Sequence, residues 1–333
     1  MAAYTAIDNP ELYFQVKLYT GNGGTQSITF DGSEDMQPNF LWVKGRSVAE
    51  SHYLQDSVRG VTKHLHTTNT DAEATDTGVV TALNSDGFSL GDEGDVNSDS
   101  GTFVAWAWKE SATAGFDIVS YAGDGVAGRN ISHSLSAVPH VMIVKNLTNS
   151  IKWAVYHHKN TAAPETDHLQ LQTNGATSDD DSTWDDTAPG SSVFRVKSST
   201  STNGSSANYI GYLFTGKQGF NKFGGYTGNG NDDGMFIHTG FRPAMIIIKR
   251  TDASDHWYIY DDQRGYNGDI ASLRINENHN ESTASGYEID ILSNGFKTRQ
   301  NHNDINGSGN TYIYMAFAKA PFVNSNGVPC NAR

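Results

Sequence analysis

The chain has 333 residues, room for two or three domains of roughly 100 to 150 residues each. Apolar residues make up 37% and aromatics 11%, with 34 glycines and 8 prolines, which excludes a disordered tail and a collagen-like repeat. A formal charge of −14 with no run of Lys and Arg argues against nucleic acid or an anionic membrane as a partner, and the single Cys330 excludes an internal disulfide framework and a CxxC metal or redox site.

The first predicted element is a short helical leader over residues 1–15, where Asn9 and Pro10 read as N-cap and first-turn proline before ELYFQ. MAAYTAIDNP has neither a basic n-region nor an apolar h-region, so an export signal and membrane insertion are not expected. The leader lies outside the repeat that follows, which makes it a candidate docking segment as well as a candidate cap on the first sheet.

From Tyr19 the chain repeats itself. YTGNG at 19–23 returns at 226–230, and YAGDG stands at 121–125. Each is followed by a proline with a lysine six positions on and an apolar run between: Pro38 to Lys44, Pro139 to Lys145, Pro243 to Lys249. Near the end of each copy an asparagine stands six residues before an aromatic that opens a strand, at Asn97 and Phe103, Asn203 and Tyr209, Asn306 and Tyr312. Two copies carry Asp-x-x-Arg-Gly, at Asp56 to Gly60 and Asp261 to Gly265, whereas the middle copy has His157 in place of the aspartate and no Arg-Gly. These features in common register define three homologous units, 16–110, 117–216 and 223–320, with a C-terminal tail 321–333.

The apolar runs are short, rich in Val, Ile, Tyr, Phe and Trp, and bounded by Gly, Asn, Asp and Ser, which predicts strands and turns throughout. FVAWAWK alternates, with Phe103 and Ala105 on one face and Val104, Trp106 and Trp108 on the other. The expected fold is therefore all-β: three tandem antiparallel β-sandwiches of jelly-roll or Greek-key type. In that frame Gly21, Gly23, Gly228 and Gly230 supply positive φ in the hairpin that begins each unit.

No motif nominates a reaction, and no catalytic, cofactor-binding or metal residue is assigned. The repeated Asp-x-x-Arg-Gly reads as a structural pair, since an enzyme seldom needs its site twice in one chain. His157 and His158 are adjacent on a predicted strand and point to opposite faces, so with His168 they make a poor metal set. The acidic stretches at Asp92 to Asp99, at Asp179 to Asp186 and at Asp232 and Asp233 lack calcium-loop spacing and read as solvated loops. The one ligand candidate is Trp184 among Asp181, Asp185 and Asp186, side chains suited to stacking on a sugar and bonding its hydroxyls; a tryptophan folded back over its own sheet is the competing reading.

YTGNGGTQSITF, NFLWVKGRS, HYLQDSVRG, LNSDGFSLG, FVAWAWK and AKAPFVNSNGVPCNAR together resemble a family of uncharacterised repeat proteins encoded in the structural gene regions of marine tailed bacteriophages. The resemblance covers nearly the whole chain and is weakest in the middle unit. It implies a non-enzymatic virion component assembled in the host cytoplasm, a fibre or a decoration protein of tail or head. The expected partners are other virion proteins, further copies of the chain (three in a fibre) and a host-surface glycan. A tail depolymerase acting on glycans and a bacterial surface adhesin are the alternatives.

Overall fold

The computed structural model describes residues 4–265, 267, 270–284 and 286–330. The described chain is all-β apart from short single turns of helix. The helical leader is corrected: the segment forms one 3-10 turn, Pro10–Leu12, with the Asn9 side chain accepting from the Glu11 amide, and the first strand already begins at Phe14. Three residues are too few to propagate an α-helix, and the β-rich sequence after Leu12 takes over.

Each repeated segment lays down one large sheet in the same order. The opening strand pairs with the closing strand, which pairs on its other side with the proline-to-lysine strand, which pairs with the strand that follows it. In the first segment these strands are Phe14–Thr20, Thr102–Trp108, Phe40–Gly45 and Tyr53–Asp56. In the second they are Phe116–Ala122, Asn208–Phe214, Val141–Asn146 and Ala154–His157. In the third they are Asn221–Thr227, Thr311–Pro321, Phe241–Arg250 and Trp257–Asp261. Registers match as well: Lys44, Lys145 and Lys249 sit opposite Val104, Ile210 and Ile313 of the closing strands. Each segment also carries a smaller sheet of two or three strands.

The continuous apolar runs are explained by burial on both faces. Leu41, Val43, Phe103 and Ala105 face a core private to the first segment, and Met142, Val144 and Leu213 face one private to the second. The alternate residues, Phe40, Trp42, Trp106, Trp108, Val141, Ile143, Tyr212 and Phe214, join Met245, Ile247, Met315 and Phe317 in a core shared by all three segments. At its centre the equivalent residues Trp108, Phe214 and Phe317 touch one another, with ring centroids 6.4 Å apart for Trp108 and Phe214, 5.5 Å for Trp108 and Phe317, and 5.7 Å for Phe214 and Phe317.

The repeated YxGxG is the turn that leaves the opening strand, and the repeated asparagine pins it. The Asn97 amide reaches Asn22 Oδ1 and the Gly24 and Gly91 carbonyls while its Oδ1 accepts from the Asn22 amide. Asn203 does the same for Asp124, Val126 and Lys197, and Asn306 for Asn229, Asn231 and Gln300. The tyrosine hydroxyl of each motif donates to a backbone carbonyl just before that asparagine, from Tyr19 to Val96, Tyr121 to Thr202 and Tyr226 to Ile305. The glycine expectation needs correcting at its first position. Only the second glycine has positive φ, 65° at Gly23 and 63° at Gly230, whereas at Gly21 a Cβ would lie 2.2 Å from the Ser98 carbonyl oxygen. Close backbone approach, and not φ, demands glycine there.

Candidate functional site

The repeated charged motifs lie between segments, away from solvent. Asp56 accepts from Arg59 Nε at 2.5 Å and from the Tyr212 hydroxyl of the second segment at 2.7 Å. Asp261 accepts from Arg264 Nε at 2.6 Å and from Trp106 Nε1 of the first segment at 3.0 Å. Side chains in both pairs are at most 3% exposed, so the structural pairs read from the sequence are desolvated and sit at segment junctions. At the third junction the closing-strand position equivalent to Tyr212 and Trp106 is Met315, which has no proton to donate. There His157 takes the place of aspartate: its Nε2 lies 3.2 Å from the Tyr314 carbonyl, and its Nδ1 accepts from the Lys159 amide. That hydrogen bond puts the imidazole proton on Nε2, and burial holds its pKa down to about 3. The junctions therefore close a ring: first segment on second, second on third, third on first.

A second ring runs through the lysines. Lys44 Nζ donates to its own strand end at Gly45 and approaches the Asn278 carbonyl of the third segment at 3.5 Å; Lys145 donates to Thr70 of the first; Lys249 donates to Asn174 of the second. Burial draws the pKa of each down to about 8. Eight residues after each lysine stand His52, Trp153 and Trp257, whose ring nitrogens meet the carbonyls of Arg274, His66 and Gln170 in the same cyclic sense. The sequence reading missed this feature; the Lys-x7-Trp spacing in two of three copies was its visible signal.

The candidate glycan residues do not form a stacking site. Trp184 is 1% exposed and packs edge-to-face on Tyr156 in the core of the second segment. Asp181 bonds Lys197, Asp185 pairs with Arg195 at 3.0 Å, and both Asp185 and Asp186 take positive φ in the turn after the short helix Asp181–Trp184. The apolar ring is thus withdrawn from the carboxylates that were expected to flank it. Of the other acidic stretches, Asp95 accepts from the Tyr53 hydroxyl and Asp233 pairs with Lys297. His168 Nε2 lies 3.0 Å from Lys152 Nζ. Among the described residues no group of three or more His, Cys, Asp or Glu is placed to hold a metal ion.

The feature that sequence reasoning did not find is an open cleft of about 1060 Å³ between the second and third segments. The second segment lines it with His140, His158, Lys159 and Asn160, the third with its opening strand and with Phe236 to Thr239, and the connecting chain adds Lys217. His140 and His158 stack face to face, centroids 4.1 Å apart and planes at 6°. Their equivalents by register are Asn39 and Ser57 in the first segment and Ala244 and Asp262 in the third, so the cleft coincides with the places where the middle segment departs from its neighbours. His140 Nδ1 accepts from the Gly216 amide and His158 Nε2 faces the Phe223 carbonyl at 2.9 Å. Burial, reinforced by the stacked partner, lowers the His140 pKa to about 4; burial also lowers that of His158. The equivalent space between the first and second segments is about 530 Å³, and between the third and first about 50 Å³ remains beside Glu11 and Lys319. The leader occupies that last junction, bonding Ser325 and Lys319 through Asp8 and Glu11, and its Thr5 reaches the Gln218 carbonyl of the chain that connects the second and third segments.

One family spans all of this, junctions included, over residues 9–321. The chain belongs to the DUF7483 family. That family is described as a domain of unknown function. No curated protein and no solved structure matches the chain significantly. The DUF7483 match runs unbroken through all three repeats, as does the shared core.

Proposed function

We propose that this chain is a non-enzymatic structural protein of a tailed-bacteriophage virion, a fibre or decoration protein of tail or head, with an exposed cleft turned to host-surface glycan. In this reading the three segments are copies of one two-sheet sandwich module, set about an approximate threefold axis through Trp108, Phe214 and Phe317. The observation that carries it is the use made of the repeated motifs. YxGxG and its asparagine, the lysines and the Asp-Arg pairs all bond within the fold or across its junctions. A fold whose common features all hold it together suits a particle component, which must persist outside the cell without disulfides.

The arrangement also bears on copy number. One chain that supplies its own threefold set fits a threefold position in a particle as a single copy, so a symmetric fibre tip does not require three chains. A glycan-cleaving reading asks for two carboxyl groups flanking the sugar, and among the described residues no aspartate or glutamate lines the large cleft. Quantitative mass spectrometry of purified phage particles is the test. The expected result is the chain at a fixed ratio to the major capsid or tail protein; its absence from washed particles would sink the proposal.

A further inference from the structure

We propose that the cleft between the second and third segments binds an acidic oligosaccharide, its anionic groups held by Lys159, Lys217 and Lys222 and a sugar ring laid on Phe236. This deepens the host-contact part of the reading above and depends on it only for where the sugar comes from. Charge is the first argument. The chain carries 37 acidic residues against 23 basic ones, yet among the described residues the cleft lining holds three lysines and no aspartate or glutamate. Among the described residues none of the three lysines has an ion-pair partner, in contrast to the cleft between first and second segments, where Glu73 pairs with Lys63 at 2.9 Å and faces Arg59 at 3.5 Å. Unpaired cations in a concave wall concentrate positive potential on a protein that is otherwise acidic, which selects an anion and rejects neutral competitors.

Shape and surface supply the second argument. The strand Phe236–His238 turns Ile237 inward and Phe236 and His238 outward, and Phe236 is 44% exposed, an unusual position for a phenylalanine. Its ring, in a T-shaped pair with His238 at a centroid distance of 6.4 Å, offers an exposed apolar surface of the kind that the C–H face of a pyranose stacks on. The volume reaches the upper end of the ~300–1,000 Å³ range of ligand pockets, room for several linked rings.

The test is calorimetric titration of the full chain at pH 7 with tetragalacturonate, a heparin tetrasaccharide, maltotetraose and an eight-nucleotide oligothymidylate. Binding of at least one acidic tetrasaccharide, at least tenfold tighter than maltotetraose and weakened by salt, is the expected result. Phe236→Ala and the pair Lys159→Gln with Lys222→Gln should each weaken it at least tenfold. Phe236 is 44% exposed and belongs to no core cluster, so its variant keeps the fold and remains informative if the lysine pair does not. No binding of either acidic sugar, equal binding of maltotetraose, tighter binding of the oligonucleotide, or affinity unchanged by Phe236→Ala would each overturn the proposal. None of these results bears on whether the chain is found in particles, so the two readings fail separately.

Discussion

His157 shows how one residue can be forced by a neighbour in another segment. Aspartate works at Asp56 and Asp261 because an arginine and a donor from the next segment neutralise it. With Met315 as the facing residue and no arginine behind it, a buried carboxylate would stand unpaired, which costs several kcal/mol. A neutral imidazole, donating to the Tyr314 carbonyl and accepting from the Lys159 amide, meets both polar demands without charge. Its folded pKa of about 3 lies below the ordinary 6.5, so below pH 6.5 the unfolded chain takes up a proton that the folded chain refuses. Stability is present above pH 6.5 and is lost as the pH falls toward 3. From pH 7 to pH 5 this one residue accounts for about 2 kcal/mol of destabilisation by linkage. Urea unfolding of His157→Gln at the two pH values should show a correspondingly shallower loss than the unmodified chain; equal slopes would mean that the imidazole is solvated.

At the scale of elements, the proline-to-lysine strands do two things at once. In the first two segments their apolar residues alternate between a private core and the shared one, and in all three the terminal lysine turns to the neighbouring segment. Lys145 Nζ donates to the Asn146, Ile151 and Thr70 carbonyls at 3.0, 2.8 and 3.0 Å, tying its own strand end to a loop of the first segment. Three carbonyl partners offset part of the desolvation of the ammonium, and the pKa still falls from 10.5 to about 8. A lowered lysine pKa gives stability that is full above pH 10.5 and lost as the pH falls through 8. Between pH 8 and pH 10 the unmodified chain should therefore gain about 2 kcal/mol relative to Lys145→Met. Chemical denaturation at both pH values measures this difference directly, and parallel behaviour of the two proteins would refute a buried ammonium.

For the whole molecule, the decisive fact is that all three segments contribute to one shared core in addition to the private cores of the first and second. Trp108, Phe214 and Phe317 meet at the centre, and each junction exchanges hydrogen bonds in the same rotational sense. A segment cut from this ring would expose one whole face of its large sheet. Denaturant unfolding followed by tryptophan fluorescence and by far-ultraviolet circular dichroism should accordingly give one coincident transition. Separate transitions would show that the segments are independently stable. The leader and the tail belong to the same closure, since Asp8 bonds Ser325 and Glu11 bonds Lys319 at the junction of third and first segments.

Much of the local structure was written in the sequence by itself. The strand runs, the facing of Trp106 and Trp108 opposite Phe103 and Ala105, the Asn9 cap and the register of the three copies follow from alternation, turn chemistry and spacing, which act over a few residues. The tertiary structure decided what those copies are for. Nothing near Asp56 in sequence reveals that Tyr212 completes it, nothing near Trp184 reveals that its ring turns inward, and the histidines of the large cleft stand 18 residues apart at His140 and His158. Partners that meet across a junction leave no periodic trace in either segment. Only closure of the ring brought them into contact and left the widest cleft between the second and third segments.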